Sequence, residues 1–241
     1  MNTLKKKIKI FIPEILIKTY AKFRVILKNG FVSKKELGEI GLNSTIDYPC
    51  YIGYEPNIYI ENNVRLQSGV RIINSEKDGK IYIKKYTSGG FNLTIITGNH
   101  TPTVGIPQFL LGPSHINDKA KDIIIEEDVW IGANIILLPG AHIGRGAVIG
   151  AGSLINKEIP PYAVVVGSPA KIIATKFSKK EIIEHERILY QESERLKEKD
   201  IDFIFEKYYN NLPSIGTSKI TKEDLNTLDK IKRKYNYIEI N

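Results

Sequence analysis

The stretch IEEDVWIGANIILLPGAHIGRGAVIGAGSLINKEIP, residues 125–160, decides the fold because it divides into six consecutive hexapeptides. Every hexapeptide begins with Ile or Leu, and every fifth residue is small or aliphatic. A step of six residues turns an α-helix by about 240°, so these aliphatic side chains would form no stripe on a helix. Gly and Pro recur at a fixed phase, which one long strand would not tolerate.

Hexapeptide periodicity is typical of a parallel β-helix, in which each unit forms one short strand and one turn. We expect the first residue of each unit to point into the core. We expect the second-position glycines, Gly132, Gly144 and Gly150, to adopt positive φ at the corners. The same phase recurs less regularly upstream from about Ile46. The sequence therefore predicts an all-β solenoid over residues 40–175.

The segment 101–122 leaves this repeat and is longer than an ordinary connection between short strands. His100 is the last residue before it, at a predicted outward-facing corner. Loops that leave a rigid scaffold often carry functional residues, although an isolated loop His is also a common surface residue. His100 is therefore the first candidate for a functional side chain.

Helical appendages are predicted at both ends of the solenoid. Residues 1–39 form an N-terminal segment with apolar residues at helical spacing, and its basic start suits either an anionic membrane or the solenoid end. In the C-terminal extension, residues 176–241, Ser178 and Glu181 form a capping box that opens a helix through about Lys199. His185 would lie on the surface of that helix. Thr221 with Asp224 predicts a second, weaker helix start.

Composition narrows the class of protein. The 241 residues carry a net charge of +8 with the basic residues spread along the chain, which favours a solvated surface over a dedicated anion site. A single cysteine, Cys50, excludes an internal disulfide framework. With no apolar run of membrane length and no signal-peptide cleavage pattern, the predicted location is the cytoplasm. No nucleic-acid module is recognisable, so no nucleic-acid partner is predicted.

The stretch DVWIGANIILLPGAHIGRGAVIGAGSLINKEIPPYAVVVGSPAKII, residues 128–173, together with GNH at 98–100, resembles the hexapeptide-repeat acetyltransferases. Within them it is most similar to the xenobiotic and polysaccharide O-acetyltransferase branch. The resemblance implies a left-handed β-helix, acetyl-CoA as co-substrate and a homotrimer with sites between subunits. It also implies that His100 is the general base of a direct transfer, a role for which neutral imidazole is suited near pH 7.

The resemblance assigns the donor-binding positions residue by residue. Trp130 matches a Trp along the pantetheine arm, although packing between coils is an equally natural role. The backbone at Ala133 and Ala151 would bond the pantetheine amides. A second basic residue often follows the phosphate-binding Lys by three places, where this chain has Ala174, and Lys176 is a possible substitute. The expected cofactor-binding residues are Trp130, Ala133, Ala151, Asn156, Lys157 and Lys171.

The acceptor side is less determined, and Gln67, Asn99 and His115 are its candidates. Asn99 would either orient His100 or form a turn, and His115 would contact the acceptor or be solvated. The leading interpretation is O-acetylation of a saccharide hydroxyl in a bacterial surface polysaccharide or its lipid-linked precursor. The alternatives are N-acetylation of an amino sugar or sugar nucleotide, a xenobiotic acceptor, and a non-catalytic β-helix scaffold.

Two other chemistries are disfavoured by the sequence. Metal-dependent hydratases on β-helices need three converging His, and the spacing of His100, His115 and His142 lacks the close pair typical of those enzymes. No metal is therefore predicted. Cys50 lies far upstream of the recognisable motifs, so a covalent acyl-enzyme is not expected.

Overall fold

The computed structural model describes residues 36–235 and 237. The helix and membrane association predicted for the N-terminal segment depend on residues 1–35 and lie outside the described residues. None of the helices in the described part of the chain is long and apolar enough to cross a bilayer.

The described chain winds through three sheets, and each coil adds one strand to each of them. The first sheet contains β1 (Glu39–Ile40), β4 (Ile58–Ile60), β7 (Ile81–Ile83), β10 (Ile123–Ile125), β13 (His142–Ile143) and β16 (Glu158–Ile159). The second contains β2 (Thr45–Ile46), β5 (Arg65–Leu66), β8 (Ser88–Gly89), β11 (Trp130–Ile131), β14 (Val148–Ile149), β17 (Ala163–Val166) and β18 (Lys171–Thr175). The third contains β3 (Tyr51–Ile52), β6 (Arg71–Ile73), β9 (Thr94–Ile96), β12 (Ile136–Leu137) and β15 (Leu154–Ile155).

Neighbouring coils pair in parallel and in register, so equivalent repeat positions stack on one another. In the first sheet Ile83, Ile125, Ile143 and Ile159 follow one another, and all are buried. The first and fifth residues of the six quoted hexapeptides are all buried in the core. The predicted parallel β-helix is confirmed.

The expectation about the second-position glycines is wrong. Gly132 is not among the residues with positive φ. Positive φ occurs instead at the fourth position of the hexapeptides, for example 56° at Asp128 and 57° at Asn134, residues that tolerate the left-handed region. The second position needs Gly because the next coil is close: a Cβ on Gly132 would lie 2.8 Å from the Ala151 nitrogen.

The excursion between β9 and β10 is closed by backbone hydrogen bonds at its base. The N–H of Lys119 donates to the Asn99 carbonyl at 3.2 Å, and that of Lys121 donates to the Thr97 carbonyl at 3.0 Å. One short helix, α1 (Gln108–Ser114), forms within the excursion, with Leu111 buried. The returning strand is therefore held beside the departing one before β10 resumes the solenoid.

The C-terminal part caps the solenoid. Strand β18 turns back antiparallel to β17. Three α-helices follow: α2 (Lys179–Leu189), α3 (Glu198–Ile204), which continues into a π-helical turn Phe205–Tyr209, and α4 (Lys222–Lys234). A short 3₁₀ helix, Glu192–Glu194, lies between α2 and α3. The Tyr209 ring joins the solenoid core, and its hydroxyl donates to the Pro161 carbonyl. Both predicted helix starts are confirmed: Ser178 and Glu181 form a capping box, and the Thr221 hydroxyl accepts from the Asp224 N–H.

Helix α2 ends at Leu189, earlier than the predicted Lys199. Tyr190 adopts an extended conformation and is buried, with the Arg145 guanidinium 4.2 Å from its ring centroid. The freed Tyr190 carbonyl accepts a hydrogen bond from Arg195 Nε at 2.9 Å. Burial of the Tyr190 ring therefore takes precedence over continuing the helix.

The Asp128 carboxylate fastens α2 to the solenoid by pairing with Lys176 Nζ at 2.6 Å and His185 Nε2 at 3.0 Å. Burial tends to raise the Asp128 pKa, but the hydrogen bond from His185 and the Lys176 charge outweigh it, and the pKa is lowered. The His185 ring lies tilted against that of Phe177, with centroids 4.9 Å apart, and its side chain is largely buried, so its predicted surface position is wrong. The Lys176 ammonium group is therefore paired with Asp128 and does not extend into solvent.

Replacing Gly132 by Ala is expected to destabilise the protein by about 1–3 kcal/mol, because the new methyl group meets backbone of the next coil. Gly112→Ala is the matched control: Gly112 lies within α1, and a Cβ there meets nothing within 4 Å. The control should be neutral or more stable by up to about 1 kcal/mol, since Ala favours helix. Urea unfolding of both variants checks this, and equal midpoints would contradict the close-approach explanation.

Candidate active site

His100 lies just after β9, where the chain leaves the third sheet, and 46% of its side chain is exposed. Its Nδ1 lies 3.0 and 3.1 Å from the two carboxylate oxygens of Asp118. No described residue bonds its Nε2. A carboxylate that accepts from Nδ1–H leaves the lone pair on Nε2, which is the form needed for proton abstraction.

Asp118 is shared by a second imidazole. His115 Nδ1 lies 2.8 Å from Asp118 Oδ2, and the two histidine rings are 5.6 Å apart. Desolvation acts to raise the Asp118 pKa, but the hydrogen bonds from His115 and His100 outweigh it, and the pKa is lowered. Asp118 therefore stays ionised between the two rings.

The end of α1 positions this trio of His100, His115 and Asp118. His115 adopts the left-handed conformation, with φ of 53°, and its N–H donates to the Leu111 carbonyl at 3.0 Å as a helix C-cap. Asn117 is also left-handed and donates from Nδ2 to the Thr103 hydroxyl at 3.2 Å. Two reversals within three residues thus turn Asp118 back toward His100.

The excursion also carries an apolar surface beside the trio. A cavity of about 570 Å³ opens within it, and Val104 and Phe109 are largely exposed. The cavity is lined by Gly105, Ile106, Pro107, Leu110, Pro113, Ser114 and Ile116.

Ala133 and Ala151 lie in adjacent coils at the corner between the second and third sheets. The Ala133 carbonyl accepts from the Gly152 N–H at 2.9 Å. The N–H groups of Ala133 and Ala151 donate to no residue that the structure describes. Two backbone donors are therefore presented along this corner, as binding of an extended ligand with amide carbonyls requires.

The other predicted donor residues are spread over the outer surface. Trp130, on the outer face of the second sheet, is 59% exposed and does not pack between coils. Lys171 is exposed on β18, while Asn156 and Lys157 are exposed at the corner between the third and first sheets. Gln67 is half-buried at the same kind of corner as Ala133, in an earlier coil.

One chain does not bring His100 together with the Ala133 and Ala151 corner. His100 follows the third-sheet strands, whereas Ala133 and Ala151 precede them. A short strand with its flanking residues separates these corners by roughly 15–20 Å. Within a single described chain, the imidazole and the exposed backbone donors form two separate surfaces.

Asn99 is exposed, and its side chain makes no hydrogen bond to the described residues. The orienting contact that Asn99 was a candidate for is made by Asp118. His142 Nε2 pairs with Glu126 Oε1 at 2.9 Å on the outer face of the first sheet and makes no part of the trio. Cys50 is buried, and burial raises the pKa of its thiol, which disfavours the thiolate.

Comparison with known proteins shows to which family this chain belongs. The family described as "Bacterial transferase hexapeptide (six repeats)" matches residues 122–157. The chain is 34% identical over 140 residues to galactoside O-acetyltransferase from Lactococcus lactis, covering 58% of this chain and 63% of that protein. It is 30% identical over 147 residues to galactoside O-acetyltransferase from Escherichia coli, covering 61% and 68%. The chain belongs to the hexapeptide-repeat acetyltransferase family.

Other known proteins match over a shorter stretch or through their solved structure. Chloramphenicol acetyltransferase from Morganella morganii is 52% identical over 64 residues, which is 27% of this chain and 30% of that protein. The chain thus spans less than two thirds of the length of the first curated relatives it matches. A galactoside acetyltransferase solved in complex with coenzyme A superposes with a TM-score of 0.52 at 26% identity, covering 68% of this chain and 74% of that one.

Proposed function

We propose that this protein transfers an acetyl group from acetyl-CoA to a saccharide hydroxyl, with His100 as general base. The observation that carries the proposal is the His100–Asp118 pair, which leaves Nε2 open at the mouth of the excursion on a hexapeptide solenoid. Family membership supports acyl transfer, and the coenzyme A complex of a related fold supports the donor.

Direct transfer accounts for the chemistry without a covalent enzyme intermediate. His100 Nε2 takes the hydroxyl proton as the acceptor oxygen attacks the thioester carbonyl, and the ionised Asp118 stabilises the imidazolium that forms. The C–S bond then breaks, the ester is released, and the proton passes from the imidazolium to the departing CoA sulfur. The buried thiol of Cys50 takes no part.

The donor lies along the corner of Ala133 and Ala151, whose unpaired N–H groups meet the pantetheine amide carbonyls. The exposed Trp130 ring packs against the arm. Lys157 and Lys171 meet the CoA phosphates, with Asn156 beside them. Since Lys176 is held by Asp128, Lys171 acts at the nucleotide 3′-phosphate without the usual second basic residue.

Assembly as a homotrimer completes the site in this proposal. The corner that carries His100 and the corner that carries Ala133 and Ala151 are separate in one chain, so a reactive pair requires the donor corner of a neighbouring subunit. Gln67, Asn99 and His115 then line the acceptor space.

For the acceptor, the galactoside O-acetyltransferase relatives favour a saccharide, which we place in a bacterial surface polysaccharide or its lipid-linked precursor. We place the reaction in the cytoplasm, with membrane association as an accessory of the N-terminal segment. The chloramphenicol acetyltransferase match favours a xenobiotic as the second candidate. A screen of galactosides, sugar nucleotides, lipid-linked saccharides, amino sugars and chloramphenicol, scored by CoA release, separates these acceptors. No release with any of them would favour a non-catalytic scaffold.

His100→Asn is expected to lower the transfer rate by roughly 10²–10⁴, because Asn keeps polarity but accepts no proton. His142→Asn is the matched control, since His142 is half-exposed on the first sheet and pairs with Glu126 rather than with Asp118. Initial rates and acetyl-CoA affinity are measured for both. A His100→Asn enzyme as active as the control would remove His100 from the mechanism.

Lys171→Ala is expected to weaken CoA binding while leaving dephospho-CoA binding nearly unchanged, because only CoA carries the 3′-phosphate. Lys180→Ala, at an exposed position on α2, is the control for loss of a surface charge. Calorimetric titration with both ligands measures the effect. Equal losses for CoA and dephospho-CoA would show that Lys171 does not read this phosphate.

Co-refolding His100→Asn chains with Lys171→Ala chains is expected to restore activity at low acetyl-CoA, where each variant alone is slow. A mixed trimer contains a site with an intact His100 from one subunit and an intact Lys171 from the next. Light scattering reports the assembly, and rates report the rescue. A monomer, or a mixture no faster than the sum of its parts, would place both residues in one chain's site.

A further inference from the structure

The trio contains the catalytic pair of the proposed function, and its three side chains are also of the types that bind metal ions. One ligand atom each from His100, His115 and Asp118 lies within 4.8 Å of the others. Both histidines direct Nδ1 at the same carboxylate oxygen, at 3.0 and 2.8 Å. Three ligand atoms of two kinds therefore lie within 4.8 Å of one another.

The spacing suits a tetrahedral ion. Zn²⁺ binds imidazole nitrogen and carboxylate oxygen at about 2.0–2.2 Å, which separates ligand atoms by roughly 3.3 Å. The two nitrogen–oxygen distances need to lengthen by a few tenths of an ångström to meet this value. The two Nδ1 atoms, which lie within 4.8 Å of each other, need to reach it as well. The trio lies on the surface, with about half of each imidazole exposed, so an ion reaches it without opening the fold.

The ligand set also indicates which ion the trio would bind. Two imidazoles and one carboxylate are typical of zinc sites that keep a fourth position for water. Mg²⁺ and Ca²⁺ prefer oxygen ligands and would find only one carboxylate here. The first-sheet pair of His142 and Glu126 lacks a second histidine and gives an internal comparison.

We infer that His100, His115 and Asp118 form a Zn²⁺ site whose occupation switches off the base. A metal on Nδ1 of neutral His100 requires that nitrogen to be unprotonated, so the ring proton moves through solvent to Nε2. Nε2 then has no lone pair to take the proton of the substrate hydroxyl. Asp118 binds the ion and no longer stabilises the imidazolium. Metal binding follows from the geometry, whereas the inhibition rests on the proposed function.

Binding is tested first, without any acceptor. Metal-free protein is titrated with Co²⁺, whose visible absorption reports four-coordinate geometry, and Zn²⁺ affinity is measured by competition with a chromophoric chelator. Wild type and the His142→Ala control should bind one ion per chain. His115→Asn and Asp118→Asn should lose at least the roughly 10–100-fold in affinity that removal of even an outer-shell partner costs. Asn suits the left-handed backbone of residue 115, so that variant keeps the loop conformation.

Inhibition is tested next, as the ratio of the rates with and without Zn²⁺ for each protein. Wild type and His142→Ala should be inhibited at the Zn²⁺ concentration that saturates the site in the chelator competition. His115→Asn should need at least tenfold more Zn²⁺ for the same inhibition. Equal affinity for wild type and His115→Asn would overturn the metal site. Metal binding without inhibition would overturn its role as a switch. Absence of transfer to every acceptor would instead count against the proposed function and leave the binding result intact.

Discussion

The backbone hydrogen bonds between successive coils are the constraint on which the rest of this structure depends. Trp130 and Gly132 donate to carbonyls of the next coil at 2.9 and 2.8 Å, and the same spacing is repeated along the solenoid. Extra residues are accommodated only at a corner, and only if the chain returns in register. The excursion meets this condition through its closing bonds at Lys119 and Lys121. The His100–Asp118 pair is therefore a product of the solenoid's register, since the same bonds that close the excursion bring its end beside its beginning.

The hexapeptide period predicted the core because each aliphatic residue contacts its equivalents one coil away. Core residues therefore recur at a fixed spacing in the sequence. The corner conformation was harder to predict. The fourth-position residues share only their tolerance of positive φ, as Asp128, Asn134 and Gly140 show. The second-position glycines recur more regularly, so the positive φ was expected there instead. Asp118 was missed because it lies in a loop without periodicity, 18 residues after His100, and only the return of the chain brings them together. His185 was misplaced for a related reason: its partner Asp128 belongs to the solenoid, far away in sequence.

The separation of the two candidate surfaces follows from the cross-section of the solenoid. Strands of two or three residues keep these two corners distinct, and the two corners present different features. The regular corner of Ala133 and Ala151 offers backbone N–H groups, which depend little on side-chain identity. The excursion offers imidazoles, a carboxylate and apolar side chains, all of which depend on sequence. In the proposed function, the backbone geometry of the repeat recognises the pantetheine amides of the donor, and the side chains of Trp130, Lys157 and Lys171 recognise the rest of it. The acceptor is recognised by the excursion.

The antiparallel β18 and the Tyr209 ring have a consequence for how copies of this chain associate. A parallel coil ends in unpaired N–H and C=O groups, which are a template for the first coil of another molecule. Because β18 runs in the opposite direction, it presents the wrong polarity for a further parallel coil, and Tyr209 fills the core beneath it. End-to-end polymerisation into a fibre is blocked on this side of the solenoid. In the proposed function, self-association uses the lateral corners instead, where growth ends once a ring of subunits closes.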